Sequence, residues 1–328
     1  MKKLLSCIVF CLILFGLLIQ AGEILVSKPY NRYYILEKHL EEIGSDFDVQ
    51  IFGSCHAYTS FNPNTLQEQV GLESFVFANA GEIIPTTYLR MREQFKKYTP
   101  KVALVEVWGI NPYETYDSPE NILGSYLQTN MERIPFSIEK LKVIQRYSTL
   151  DFVESNFLFS KYKERIMENS LRNFDFDYSF DDAQAYTSEA VKTEMTSRLE
   201  NNGLKVNPSV PLDQYEQLQN HVSKDDILEI EPDIVEYITK IIELCQSYDV
   251  ELIFYRSPYN AKVNELRKLN HFQQICDEHD VLFLDLEQEI DYDYFTDFFD
   301  YEHLSEAGAS KSTQFLIPYI TEALNASK

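Results

Sequence analysis

The sequence is short of the residues that nucleotide- and nucleic-acid-binding proteins depend on. Only 10 of its 328 residues are glycine, and Gly-x-Gly-x-x-Gly does not occur. No glycine loop is therefore present to cradle a pyrophosphate at a helix N-terminus. Basic residues are scarce as well: 29 Lys plus Arg stand against 52 Asp plus Glu, a formal net charge of −23. Phosphate contacts need basic clusters, so nucleic acid is excluded as a partner. A polyanionic substrate is disfavoured unless cations gather locally. The acidic run Asp291, Asp293, Asp297 and Asp300 lacks the ligand spacing and glycine of a calcium loop. It reads as a solvated loop, and no metal or cofactor is expected. Internal repeats and low-complexity tracts are missing too.

Cysteine is also sparse, with five in all. Cys7 and Cys11 fall in an N-terminal apolar run. Cys245 and Cys276 lie on the apolar stripes of predicted helices, where cysteine acts as a small buried hydrophobe. A disulfide between them stays open, because sequence does not fix their separation. Cys55 stands apart.

The N-terminus carries the longest apolar stretch. Lys2-Lys3 precede a run from Leu4 to Ile19, extending to Ala21. At about 18 residues it meets the lower limit of a membrane span, and the two lysines orient everything after Gly22 outward. Ile19-Gln20-Ala21 is a poor small-x-small cleavage site, which favours an uncleaved signal-anchor over residues 1–21 against a cleaved signal peptide. Leu4-Leu5-Ser6-Cys7 stands at the start of the apolar run rather than after it, so it is not a lipobox. Residues 22–48 read as a stalk and a first helix. The expected location is the cell membrane, single-pass, with the catalytic domain on the extracytoplasmic side.

From residue 49 onward short β-branched runs alternate with helical periodicity. Val49–Phe52, Phe75–Ala78, Val102–Trp108, Val250–Tyr255 and Val281–Leu284 read as buried parallel strands, the first three closed by turns containing glycine. Helices are predicted over 86–98, 233–248, 263–275 and after Ser305. The stretch from about 112 to 232 shows helices and polar loops but no strand pair. Its best helix spans 141–166, and 174–180 reads as a surface loop. The pattern predicts an α/β fold: a three-layer αβα sandwich with a doubly wound five-stranded parallel sheet and a mainly helical insertion after the third strand. In such sheets sites form at the carboxyl edge.

Four turns at that edge carry chemistry. Gly53-Ser54-Cys55-His56 follows strand one and exposes a nucleophile at a strand-to-helix turn. Its bland reading is a helix cap, with Ser54 capping and Cys55 buried. His56 is expected to point away from its neighbour Cys55. Asn79-Ala80-Gly81 follows strand two, and a glycine N–H there can serve an oxyanion. Gly109-Ile110-Asn111-Pro112 follows strand three, with an Asn amide as second donor or simply as a turn starter. Asp300-Tyr301-Glu302-His303 offers an imidazole base with a carboxylate to fix its tautomer. Arg256, after strand four, either lines the pocket or only ends the strand.

Together, in this order and at these strand ends, the blocks resemble the signature of the SGNH (GDSL-like) hydrolase superfamily. Gly53-Ser54-Cys55-His56 is similar to the Gly-Ser-Ser-His form of membrane-anchored, cell-envelope bacterial members, which modify envelope polymers alongside a multi-span membrane acyltransferase. The likeness reaches from about Val49 to Leu324, with nothing matching the insertion. It implies Cys55 as nucleophile in place of serine, His303 as base and Asp300 as its orienter. It implies an oxyanion hole from the Cys55 and Gly81 N–H groups and the Asn111 amide. Ser54, His56 and Gly109 are fallback or supporting residues. Pro112 departs from the family's Asn-Asp pair.

The resemblance implies an extracytoplasmic acyltransferase or esterase acting on a cell-envelope glycan, with an acylated carrier or the glycan as substrate and a multi-span membrane acyltransferase as partner. The rival reading is a non-catalytic SGNH-fold binding or assembly protein of an envelope-polymer modification system, since fold alone does not imply activity.

Overall fold

The computed structural model describes residues 2–25, 32–44, 47–110, 122–147, 189–212 and 221–326. Asn111, Pro112, the predicted loop over 174–180 and most of the predicted helix over 141–166 lie outside them. In chain order the helices are α1 (Lys2–Leu25), α2 (Arg32–Ile43), α3 (Cys55–Ser60), α4 (Pro63–Val70), α5 (Ile84–Phe95), α6 (Ile122–Met131), α7 (Ile138–Tyr147), α8 (Glu189–Glu200), α9 (Pro232–Ser247), α10 (Val263–Glu278), α11 (Leu286–Glu289) and α12 (Glu306–Ala326). The strands are β1 (Val49–Phe52), β2 (Ser74–Val76), β3 (Val102–Glu106), β4 (Glu251–Arg256) and β5 (Leu282–Asp285).

All strands pair in parallel, in the order β2-β1-β3-β4-β5. The chain builds outward from β1 to β2, then crosses back to β3. The loops after β1 and β3 therefore leave in opposite senses, and a crevice opens between them at the carboxyl edge.

The period-two alternation of side chains assigns each strand residue to a layer. Phe52, Ala103, Val105, Phe254 and Phe283 face one core, packed against α2, α5, α6, α7, α9 and α10. Val49, Ile51, Val102, Leu104, Ile253, Tyr255 and Leu284 face the other, under α3, α4 and α12. Helices on both faces of a five-stranded parallel sheet make the three-layer α/β sandwich.

Several expectations shift. β2 is shorter than expected, ending at Val76, although Phe77 and Asn79 still donate to Ile51 and Gly53; the Arg198 guanidinium takes the Ala78 carbonyl at 2.7 Å. β3 ends at Glu106 because its own carboxylate captures the Trp108 N–H at 2.8 Å and turns the chain into a short 3-10 segment, Trp108–Ile110. α2, the expected first helix, packs into the first core, where Tyr33, Leu36 and Leu40 are fully buried. Between 112 and 232 the described residues form α6, α7 and α8 and no strand. Cys245 and Cys276 are buried free thiols in one core layer. Asp297 is not solvated. It is buried, paired with Lys311 at 2.9 Å, and accepts the Asp293 N–H.

The turn Asn201–Gly203 lies against β2. Val76 N–H donates to the Asn202 carbonyl at 2.8 Å. Gly203, at φ +94°, sits so close that a Cβ would meet the Val76 oxygen at 2.1 Å. Arg198, wholly buried, ties the turn down through the Gly203 carbonyl at 3.0 Å.

Along α1 the side chains of Leu4, Leu5, Phe10, Leu12 and Leu17 are exposed. Among the described residues no helix is long and apolar enough to cross a membrane.

Candidate active site

β1 delivers the chain into a turn that only glycine fits. Gly53 has φ +133°, and a Cβ there would lie 2.9 Å from the Glu106 Cβ and 3.0 Å from its carbonyl oxygen. Ser54 then caps α3: its hydroxyl accepts the His56 N–H at 3.2 Å and donates to Glu106 Oε2 at 2.8 Å. With its proton committed and no exposed surface, Ser54 is placed as a structural cap rather than a second nucleophile.

Cys55 opens α3, and two imidazoles meet its thiol. His56 does not point away as expected: its Nδ1 lies 3.9 Å from Cys55 Sγ and 3.1 Å from Ser54 Oγ. The ring is held between Tyr259 at 4.9 Å, His303 at 5.2 Å and Trp108 at 5.4 Å, centroid to centroid. Its Nε2 faces Glu302 Oε2 at 3.5 Å.

His303 comes from the other end of the chain. The loop before α12 closes on itself, with Phe299 N–H on the His303 carbonyl at 2.9 Å and Phe298 bridged to Leu304. Asp300 Oδ1 and Oδ2 lie 3.0 and 3.1 Å from His303 Nδ1. Asp300 is itself steadied by the Glu302 N–H at 2.8 Å. With Nδ1 engaged, Nε2 is the nitrogen His303 has left to turn toward the Cys55 thiol, with which its charge interacts.

The electrostatics follow from this packing. Burial pushes the Cys55 thiol up, but the two imidazoles outweigh it and bring the group down to about 5. Burial pulls His303 down, yet the Asp300 carboxylate and the Cys55 thiolate lift it to about 9. His56 likewise rises well above the usual imidazole value, against burial, through Cys55, Glu302 and Glu106. These directions favour a thiolate paired with protonated imidazole near neutral pH. Asp300 is held below the ordinary carboxylate value against burial by its bond to His303.

The second and third turns close around the first. Asn79 N–H donates to the Gly53 carbonyl at 3.2 Å, and the Asn79 amide donates to Asn130 Oδ1 at 2.7 Å. Gly81 is buried against Tyr126 at φ +64°, and Gly109 presses onto the backbone of Glu82 and Ile83. The structure thus brings Ser54, Cys55, His56, Asp300 and His303 together; the second turn joins the first through Asn79, and Gly109 packs on the segment after Gly81. Asn111 lies outside the described residues.

Four residues of this arrangement went unread in the sequence. Glu106 is a buried carboxylate ending an apolar strand, and that charge was its signal. Glu302 lies inside the last block. Trp108 and Tyr259 become neighbours of His56 only through the topology. Arg256 does more than end β4: it pairs with Asp285 at 3.0 Å and with Glu287.

No protein-family model matches the chain, and no curated protein matches it. Among solved structures it is similar to a crystal structure of a candidate acylhydrolase from Bacteroides fragilis. The identity is 9%, over 88% of this chain and 94% of that one, with a TM-score of 0.39.

Proposed function

We propose that this chain is an SGNH-type acyl-handling enzyme, an acyltransferase or esterase working through the thiol of Cys55 on a cell-envelope glycan. One observation carries the reading: a thiol at the β1–α3 turn lies 3.9 Å from one imidazole and is coupled to a second, whose Nδ1 is held by a carboxylate.

The chemistry runs in two steps. The Cys55 thiolate attacks the acyl carbonyl, and the leaving alkoxide takes the proton on His303 Nε2. Asp300 keeps that nitrogen aimed at the site and stabilises the imidazolium. The neutral imidazole then removes a proton from the incoming hydroxyl, which attacks the thioester, and the thiolate departs. The acceptor is a sugar hydroxyl in transfer and water in hydrolysis. His56 holds positive charge beside the sulfur throughout. The oxyanion is assigned to the Cys55 and Gly81 N–H groups and the Asn111 amide.

Anchoring at the membrane, with the sandwich outside, is part of the proposal. It is supported by Lys2-Lys3 and by the exposed apolar side chains along α1. A multi-span membrane acyltransferase is the proposed partner that hands over the acyl group.

The test uses an alkyne-tagged iodoacetamide and an activated acyl ester on the full chain. The reading expects a mass shift at Cys55 from both reagents and loss of ester turnover in Cys55→Ala. If neither reagent marks Cys55 and Cys55→Ala leaves envelope acylation unchanged, the chain is a non-catalytic assembly protein instead.

A further inference from the structure

A buried carboxylate reaches the thiol site from the end of β3. Glu106 is shut away from solvent together with Ser54 and His56. Its Oε1 accepts the Trp108 N–H and its Oε2 accepts the Ser54 hydroxyl, each at 2.8 Å, so both oxygens act as acceptors. Burial raises the Glu106 carboxyl above its ordinary value, and the His56 charge, the Ser54 hydroxyl and the Trp108 N–H oppose that rise.

Counting protons gives this chain of contacts a direction. A serine hydroxyl has one proton to give and two lone pairs to fill. Ser54 gives its proton to Glu106. One lone pair takes the His56 backbone N–H at 3.2 Å, and the other faces His56 Nδ1 at 3.1 Å. A bare Nδ1 would set lone pair against lone pair, so Nδ1 carries a proton. The same Nδ1 lies 3.9 Å from Cys55 Sγ, within reach of a long N–H···S contact. On the far side of the ring Nε2 lies 3.5 Å from Glu302 Oε2. Both nitrogens of His56 therefore look at acceptors. In His303 only Nδ1 is held by a carboxylate. The ionisable groups around the His56 ring are Cys55 of α3, Glu106 of β3, Tyr259 after β4, and Glu302 and His303 before α12. Tyr58 of α3 stands near the sulfur as well.

We propose that Glu106 and Ser54 are positioning residues that fix a proton on His56 Nδ1. The carboxylate draws the Ser54 proton to itself and leaves Nδ1 only a lone pair to face. His56 then serves the Cys55 sulfur as a donor and not as a base, and proton transfer falls to His303 alone. That division of labour rests on the acyl-handling reading above; the hold on the His56 proton does not.

The pH dependence of Cys55 alkylation by iodoacetamide, on the full chain, tests the hold. Buried Cys245 and Cys276 report an intact fold as long as they stay unlabelled. Glu106→Gln turns the chain of contacts round. Its amide oxygen keeps the Trp108 N–H, its amide N–H donates to Ser54 Oγ, and the Ser54 proton moves onto Nδ1. The sulfur loses its donor, and the labelling midpoint should rise by about 1–3 pH units. Charge alone predicts the opposite sign, because Glu106 and the thiolate repel each other. In a Ser54→Ala background no hydroxyl is left to turn, so the rise from Glu106→Gln should vanish. Nitrogen NMR on the wild-type chain, labelled in its six histidines, needs no variant to fold. The His56 signals, assigned by their loss in His56→Asn, should show a protonated Nδ1 at neutral pH. A bare Nδ1 overturns the proposal. So does a midpoint that stays or falls in folded Glu106→Gln, or one that rises equally with and without Ser54. A rise that depends on Ser54, in a chain whose wild type turns over no ester, would sink the acyl reading and leave the positioning role. Ester turnover lost in Cys55→Ala, with no rise in Glu106→Gln, would do the reverse.

Discussion

The rings of His56 and His303 stack 5.2 Å apart and 16° from parallel, and the Cys55 thiol meets both. Two imidazoles brought this close repel when both are charged, and the anion beside them offsets part of that repulsion. The thiol and the rings therefore titrate as one unit.

Alkylation of Cys55 follows from that unit. Its thiol value is lowered to about 5, so the thiolate persists down to that pH and is lost only below it. The rate of iodoacetamide labelling, read by mass spectrometry across pH 4–9, should rise through about 5 and then level. In His303→Ala the midpoint should move up toward the ordinary thiol value of about 8.5. Burial pushes Cys245 and Cys276 well up, and both should stay unlabelled in the folded chain. A wild-type midpoint near 8.5 would remove the thiolate from the scheme.

Ester turnover adds an upper limit. His303 must carry a proton to the leaving group, and it holds that proton up to about 9. The pH profile of turnover should be a bell with limbs near 5 and 9. Cys55→Ser replaces the anion with a neutral hydroxyl and makes His303 a general base. Its rate should fall by about 10²–10⁴, with the lower limb moving up toward about 6.5. An unshifted lower limb in the serine variant would assign it to some other group.

The first turn should be intolerant of side chains. Gly53→Ala forces a Cβ onto Glu106 at a φ that other residues rarely adopt, costing about 1–3 kcal/mol. Ser54→Ala removes a cap and strips Glu106 of its hydroxyl donor, costing about 1–3 kcal/mol. Both are read as a lower denaturation midpoint in urea. Wild-type midpoints in both variants would contradict the packing described here.

Glu82 offers a stability prediction with a defined sign. Burial raises its carboxyl to about 8, opposed by Arg90, and its Oε2 has no hydrogen-bond partner among the described residues. A raised folded value means its contribution is full below the unfolded carboxyl value of about 4.3. That contribution is lost as pH climbs toward 8. Glu82→Gln, which cannot ionise, should therefore gain stability over the wild type between about pH 4.5 and 8 and hold that gain above. Each pKa unit is worth about 1.4 kcal/mol. Urea melts of both chains at pH 5 and pH 8 check it. An equal difference at the two pH values would mean Glu82 ionises freely in the folded chain.

The sheet was legible because its strands are short apolar runs closed by turns, and glycine marks where the backbone must bend tightly. The same turns named Cys55, Asp300 and His303, because in a parallel sheet every such turn arrives at one edge. What sequence spacing did not carry was the approach of side chains from distant elements. Cys55 and His56 are adjacent, and adjacency suggested divergence. Trp108, Tyr259 and His303 instead wall in the His56 ring and hold it toward the sulfur. Glu106 read as a strand residue, though its carboxylate shapes both the Ser54 cap and the exit of β3.

The turn at Asn201–Gly203 has a meaning beyond local packing. β2 is the last strand on its side of the sheet, and an open parallel edge is a template on which a second chain can grow. By placing the Asn202 carbonyl on the Val76 N–H, the segment after α8 occupies part of that template. If the proposed anchoring holds copies of this chain side by side on one surface, effective concentration is high and edge-to-edge fusion becomes a real hazard. The arginine-pinned turn then acts as a guard against polymerisation, and Gly203, which no bulkier residue could replace without lifting the turn from β2, is its latch.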